Sequence, residues 1–110
     1  MGDKHEIRRS FRAAVFKRAG YRCQGHGCSF TSTTACAETD LDAHHIEDRH
    51  LLPNGGYVPE NGIALCPSCH LKAEQHHATG TALVGWHPDD LYAVIASSYE
   101  AAWEASEKLG

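Results

Sequence analysis

Four of the five cysteines stand in two close pairs whose spacing suits a metal ion. Cys23 and Cys28 have four residues between them, and Cys66 and Cys69 are separated by a Pro-Ser dipeptide. Each spacing lets two sulfurs reach one ion from a single turn, and four thiolates in two such pairs are typical of a tetrahedral structural zinc site. Bound zinc would also stabilise a chain of 110 residues, which can form only a small core.

Two alternatives to this four-cysteine zinc knuckle stay open. His26 lies inside the first pair and could replace one of its thiolates, or the cysteines could be ordinary buried thiols. Cys36 has no partner at a suitable spacing and is expected to be a plain thiol. The odd number of cysteines, together with an N-terminal segment that lacks the features of an export signal, argues against a disulfide framework.

A second group of residues combines histidines with an acid and an amide. Its members are Asp42, His44, His45, Asn61 and His70. The first three fall in the segment LDAHHI, the amide follows in GGYVPENGIALC, and the last histidine ends CPSCH. Taken together, these segments resemble the HNH endonuclease family over a stretch from about residue 16 to residue 74.

The resemblance implies a ββα-metal site, in which two strands and a helix surround one divalent ion, and it gives each residue a role. His44 corresponds to a metal ligand, His45 to the general base, and His70 to a second metal ligand on the helix. Asn61 corresponds to the family's middle Asn, which orients the base or supports the loop. Glu74 stands where the family often has another histidine, so either its carboxylate or a water would be the third ligand.

The chemistry of phosphodiester hydrolysis fits this assignment. The reaction needs a deprotonated water on one side of phosphorus and charge stabilisation of the leaving oxygen on the other. Neighbouring residues on a strand point to opposite faces, so His44 and His45 could place the ion and the base on two sides of one phosphate. Asn61 could hold His45 in its useful tautomer by accepting a hydrogen bond from the ring N–H.

The roles of three further residues near this group are open. Asp42 lies two positions before His44 on the same strand face, where it could support that histidine or be solvated. His77 shares a helical face with His70 and could supply a spare ligand. For His76 and His77, however, exposure at the end of a helix is the expectation. The ion itself could be Mg²⁺, Mn²⁺, Ni²⁺ or Zn²⁺, because His, Glu and water ligands accept several metals.

The elements that must position these residues form one small α+β domain over residues 1–110. A basic helix is predicted within 1–20, the zinc knuckle and ββα-metal core within 21–77, and a C-terminal helix over 88–108. Within the core, the apolar pattern favours strands at 41–46 and 63–66 and a helix at 69–77. Ile7, Phe11 and Val15 share a stripe of the first helix and are expected to face the core.

Charge is distributed unevenly along the chain, although the total is only −4. Residues 1–22 contain seven basic and two acidic side chains, whereas the remainder is strongly acidic. The basic end could therefore contact a phosphate backbone. The candidate nucleic-acid-binding residues are Arg8, Arg9, Arg12, Lys17 and Arg18.

These patterns together predict a metal-dependent DNA endonuclease that contacts the DNA backbone more than the bases. A small domain has little surface for a long recognition sequence, so low specificity or a recruiting protein partner is expected. The alternatives are a zinc-stabilised nucleic-acid-binding module without catalysis and a nuclease that acts on RNA. No apolar run is long enough to cross a membrane, and the resemblance implies a cytoplasmic protein of bacterial or phage origin. The oligomeric state cannot be read from the sequence.

Overall fold

Two short antiparallel strands followed directly by a helix form the centre of the molecule. The computed structural model describes residues 4–28, 30 and 41–109, so Cys36 lies outside the described residues. Strand β1, Asp42–His45, pairs with strand β2, Gly62–Leu65, so that Asp42 lies opposite Leu65 and His45 opposite Gly62. Helix α2 then runs over Pro67–Thr79. This arrangement confirms the predicted α+β class with a ββα core.

Helix α1, Lys4–Ala19, packs across the sheet. Its Phe11, Val15 and Phe16 are buried, whereas Ile7 is only half-buried, so the predicted stripe begins one turn later and includes Phe16. Gly62 permits the close approach of helix and strand. A Cβ at that position would lie 2.4 Å from Val15 Cγ2 and 2.7 Å from Phe11 Cε1.

The connection between the strands consists of three short 3₁₀ turns, at Arg49–Leu51, Pro53–Gly56 and Pro59–Asn61. Gly56 has a positive φ of 65°, and a Cβ there would lie 2.9 Å from Asn61 Nδ2. Glycine is therefore required both by the backbone conformation and by the lack of space. The turn at Gly56 returns the chain to the side of β1, and Asn61 then lies buried in the core.

The C-terminal segment forms two helices where a single helix over 88–108 was predicted, and that prediction is wrong. Helix α3 covers Pro88–Val94 and helix α4 covers Tyr99–Glu107. The chain breaks between them because Ala96 adopts a left-handed conformation, with φ of 55°, and because the Ser98 side chain accepts a hydrogen bond from Ala101 N–H to begin a new helix. Asn54 Nδ2 donates to Ser106 O over 2.9 Å and attaches α4 to the loop.

Among the described residues, no helix is long and apolar enough to cross a membrane.

Candidate functional site

The four paired cysteines converge on one point. The Sγ atoms of Cys23, Cys28, Cys66 and Cys69 all lie within 4.8 Å of one another, and those of Cys28 and Cys66 are 3.9 Å apart. Zn–S bonds of about 2.3 Å in a tetrahedron place sulfurs about 3.8 Å apart. All four residues are free thiols. The cluster therefore fits a zinc ion, and the exposed His26 is outside it.

Backbone hydrogen bonds hold the knuckle in this shape. Cys66 N–H donates to Cys23 Sγ over 3.2 Å, and Gly25 N–H donates to the same sulfur over 3.4 Å. A hydrogen bond from the Phe30 backbone is the main cause that lowers the pKa of Cys28, whereas burial raises the pKa of Cys23 and of Cys69. Buried thiolates need a compensating cation, so the four cysteine sulfurs suit a bound metal cation.

Gly25 is where the knuckle packs against the rest of the molecule. A Cβ on this buried glycine would lie 2.6 Å from Cys69 Sγ and 2.9 Å from Trp86 Cη2. Trp86 is itself buried, with 4% of its surface exposed. The knuckle is thus part of the hydrophobic core and is not an appendage to it.

The second candidate metal site lies in a cleft of about 310 Å³ beside β1 and α2. Ligand atoms of His44, Glu74 and His77 lie within 4.8 Å of one another. His44 is 2% exposed, its Nδ1 is 3.3 Å from Glu74 Oε1, and neither of its ring nitrogens has a hydrogen-bond partner in the described part of the chain. Burial lowers the pKa of His44 to about 3, so the ring is neutral and offers a lone pair.

His70 joins this group through the same carboxylate. Its Nε2 lies 3.2 Å from Glu74 Oε1, and its Nδ1 lies 3.3 Å from Asp42 Oδ2. Asp42 is therefore paired with His70, which is neither of the two roles left open for it, support of His44 or solvation. Such a carboxylate fixes the orientation of a ligating imidazole and makes it a better ligand. The structure thus brings together His44, His70 and Glu74, the three residues predicted to bind the ion.

His77 is the site residue that sequence reasoning undervalued. Its side chain is only 11% exposed, and the expectation that it is solvated is wrong. Because Ile46 O can only accept, His77 Nε2 donates to it over 3.0 Å, which leaves the Nδ1 lone pair 3.7 Å from Glu74 Oε2. The signal was present in the spacing, since His77 follows Glu74 by three positions and His70 by seven on one helical face.

His45, the candidate base, lies on the neighbouring position of β1 and lines the same cleft. Its ring stacks on Phe11 with centroids 4.7 Å apart and meets the edge of Tyr57 at 4.6 Å. Burial, with a smaller effect of the Arg49 charge, lowers the pKa of His45 to about 4. The ring is therefore neutral near pH 7, and two aromatic side chains hold it in place.

Asn61 is fully buried and braces the loop. Its Oδ1 accepts from Glu47 N–H over 2.9 Å and from the Tyr92 hydroxyl over 2.7 Å, while its Nδ2 donates to Glu47 O and Gly56 O. These four contacts use the amide fully, and none of them is the predicted hydrogen bond from the ring of His45. Of the two roles considered for Asn61, the geometry fits support of the loop.

The basic residues of α1 divide into two groups. Arg12 lines the cleft, whereas the Arg8 guanidinium lies 5.7 Å from the centre of the Tyr57 ring, which packs against His45. Arg9 and Lys17 are exposed elsewhere on the helix. Arg18 differs from expectation, because its guanidinium donates to the backbone carbonyls of Pro59 and Gly62 and thereby fastens α1 to β2.

Two strands, a following helix and a histidine-carboxylate cleft define the ββα-metal class of nuclease-type domains. Comparison with family models agrees, because residues 23–76 match the family described as HNH endonuclease. The chain therefore carries an HNH endonuclease domain, which implies a nucleic-acid substrate. Comparison with curated proteins and with solved structures finds no significant match.

Proposed function

We propose that the protein is a metal-dependent DNA endonuclease that hydrolyses phosphodiester bonds by a one-metal mechanism. The observation that carries the proposal is the pair of adjacent histidines on β1. His44 is buried beside Glu74, and neither of its ring nitrogens has a hydrogen-bond partner among the described residues, while the neutral ring of His45 lines the same cleft. Within an HNH domain, this arrangement supplies both a metal ligand and a proton acceptor.

Four side chains are proposed to hold the catalytic ion: His44, His70, Glu74 and His77. Glu74 is central, because one of its oxygens contacts His44 and His70 while the other faces His77. Imidazole and carboxylate ligands accept Mg²⁺, Mn²⁺, Ni²⁺ or Zn²⁺. The separate four-cysteine site is proposed to hold a structural zinc ion.

His45 is proposed to remove the proton from the attacking water. Its neutral ring can take that proton near pH 7, and Phe11 and Tyr57 keep the ring from rotating away. A divalent ion bound in the cleft would act as a Lewis acid on the phosphate and stabilise the leaving oxygen. Asn61 acts at one remove, because it fixes the loop that carries Tyr57.

Binding of DNA is proposed to depend on the backbone charge. Arg8 and Arg12 lie beside the cleft and Arg9 and Lys17 are exposed on the same helix, so a duplex along α1 would meet several cations. Contacts of this kind carry little sequence information. We therefore infer nicking or cutting of double-stranded DNA with low specificity, in the cytoplasm, with any target choice left to a recruiting partner.

Supercoiled plasmid incubated with the zinc-loaded protein and each of the four divalent ions tests this proposal. We expect conversion to nicked or linear DNA, and we expect a chelator of the added ion to abolish it. The control variant His5→Ala, at the exposed start of α1, should retain the activity. Folded protein that binds DNA but cuts it with none of the ions would favour the non-catalytic binding module. Preferential cutting of an RNA duplex of the same sequence would contradict the DNA assignment.

A further inference from the structure

The strand that carries the two site histidines is followed by a cation that the sequence pattern did not single out. Arg49 begins the 3₁₀ turn four residues after His45 and lines the same cleft. Its side chain is solvent-exposed, and its Nη1 donates a hydrogen bond to the Tyr57 hydroxyl over 2.8 Å. An exposed arginine tied in this way presents the rest of its guanidinium to the cleft in a fixed position.

Tyr57 ties this cation to the catalytic elements. The tyrosine whose hydroxyl accepts from Arg49 packs edge-to-face with His45 and with Phe11, at ring-centroid separations of 4.6 and 5.7 Å. A displacement of Arg49 would therefore alter the contact between Tyr57 and the candidate base, His45.

The neighbouring acid does not neutralise Arg49 through a close contact. Asp48 Oδ1 accepts from His50 N–H over 2.9 Å, and Asp48 Oδ2 faces His77 Nδ1 at 4.0 Å. A guanidinium has five donors, is always charged, and binds two phosphate oxygens at once. The cleft is thus lined by a tethered cation, Arg49, as well as by the candidate base and the candidate metal ligands.

We propose that Arg49, positioned by the Tyr57 hydroxyl, binds the non-bridging oxygens of the phosphodiester that is cleaved. The inference rests on the proposed nuclease function and assigns a task distinct from that of α1. The helix cations would meet neighbouring phosphates along the backbone, whereas Arg49 would contact the phosphate undergoing reaction. Charge stabilisation at that phosphate is needed most in the transition state, so the effect should fall mainly on kcat.

Bis(p-nitrophenyl) phosphate separates the two tasks, because it contains a single phosphodiester and no neighbouring phosphates. With zinc-loaded protein and Mn²⁺, we expect Arg49→Ala to reduce kcat/KM for this compound about 100-fold, as removal of one donor to a transition-state oxyanion does. Arg49→Lys, which keeps the charge and loses the fork, should give an intermediate rate. Tyr57→Phe should cost about fivefold, the effect of one hydrogen bond, and nothing further in the Arg49→Ala background.

Lys108→Ala serves as the matched control, because this exposed cation lies at the end of α4 and does not line the cleft. Zinc content and thermal unfolding of every variant are measured in parallel, and we expect them to be unchanged in Arg49→Ala. Wild-type rates in Arg49→Ala would overturn this inference alone. Absence of hydrolysis of both the small diester and plasmid by the wild-type protein would overturn the proposed function, and the inference with it.

Discussion

At the scale of single residues, burial makes His44 and His77 suitable as metal ligands. His44 is buried, and both of its ring nitrogens lack a hydrogen-bond partner in the part of the chain that the structure describes. His77 is 11% exposed, with its Nε2 bound to a backbone carbonyl. A neutral imidazole whose second nitrogen is fixed by a hydrogen bond is well suited to ligate a metal. The histidines of the cleft are thus distinguished from those outside it by their surroundings and not by their spacing alone.

Substitution of His77 tests its place among the ligands. We expect His77→Ala to weaken Mn²⁺ binding to the zinc-loaded protein by at least about tenfold, because one donor next to Glu74 is lost. Isothermal titration measures this affinity. The neighbouring His76→Ala is the control, since the His76 ring packs against His87 and does not line the cleft. Equal Mn²⁺ affinities in the two variants would exclude His77 from the ligand set.

The sequence contained those parts of the site whose spacing is local. The cysteine pairs, the adjacent histidines of β1 and the Cys69–His70 junction each lie within one turn or strand, so their chemistry could be predicted. The pairing of Asp42 with His70 and the burial of His77 depend on how α2 packs against β1. Periodicity does not encode such distances, and these features became visible only in three dimensions.

At the scale of elements, the zinc knuckle and helix α2 together position His70. Cys66 caps the helix, Cys69 lies in its first turn, and His70 follows on the next position. A metal that fixes the cysteines therefore fixes where His70 projects. Arg18 and Gly62 do the same for α1, because the first fastens the helix to β2 and the second lets it approach closely.

Gly25→Ala tests the packing of the knuckle. The added methyl would lie 2.6 Å from Cys69 Sγ, so we expect zinc affinity, measured by chelator competition, to fall at least about tenfold. Gly80→Ala is the control, because Gly80 has φ of 80° but no atom within 4 Å of an added Cβ. It should cost about 1 kcal/mol of stability through backbone strain and leave zinc affinity unchanged. Undiminished zinc affinity in Gly25→Ala would contradict this account of the knuckle.

The same scale shows where sequence patterns failed. Residues 88–108 have continuous helical periodicity, yet Ala96 breaks the segment into two helices. The break lets α3 and α4 follow the surface of the core, and it places the Tyr92 hydroxyl 2.7 Å from Asn61 Oδ1. Tyr92 of α3 is thus a partner of the buried amide that braces the loop.

At the scale of the whole molecule, metal binding and folding are joined. Cys23, Cys66 and Cys69 are members of the single hydrophobic core, together with Trp86 and the strand residues. A core of this size is marginal without additional stabilisation, and structural zinc contributes directly to the free energy of folding. The nuclease cleft is built on this core, so its geometry depends on the zinc site although the two sites are separate.

Removal of zinc should therefore unfold the domain as a whole. We expect a strong chelator to abolish the helical circular dichroism and to shift the emission of Trp86, which loses its buried environment. Restoring zinc should reverse both changes, whereas adding Mg²⁺ should not, because thiolates prefer softer ions. Helical content and a thermal transition that persist in metal-free protein would contradict the structural role of the knuckle.

The central claim is that one side chain, His45, activates water in a cleft built for metal-dependent phosphodiester hydrolysis. Single-turnover cleavage of supercoiled plasmid in the presence of Mn²⁺, with DNA saturated by zinc-loaded protein, tests it most directly when wild type is compared with His45→Ala. The account predicts a cleavage rate about 10²- to 10⁴-fold lower in the variant, with zinc content and DNA affinity unchanged. Equal cleavage rates in the two proteins would contradict it.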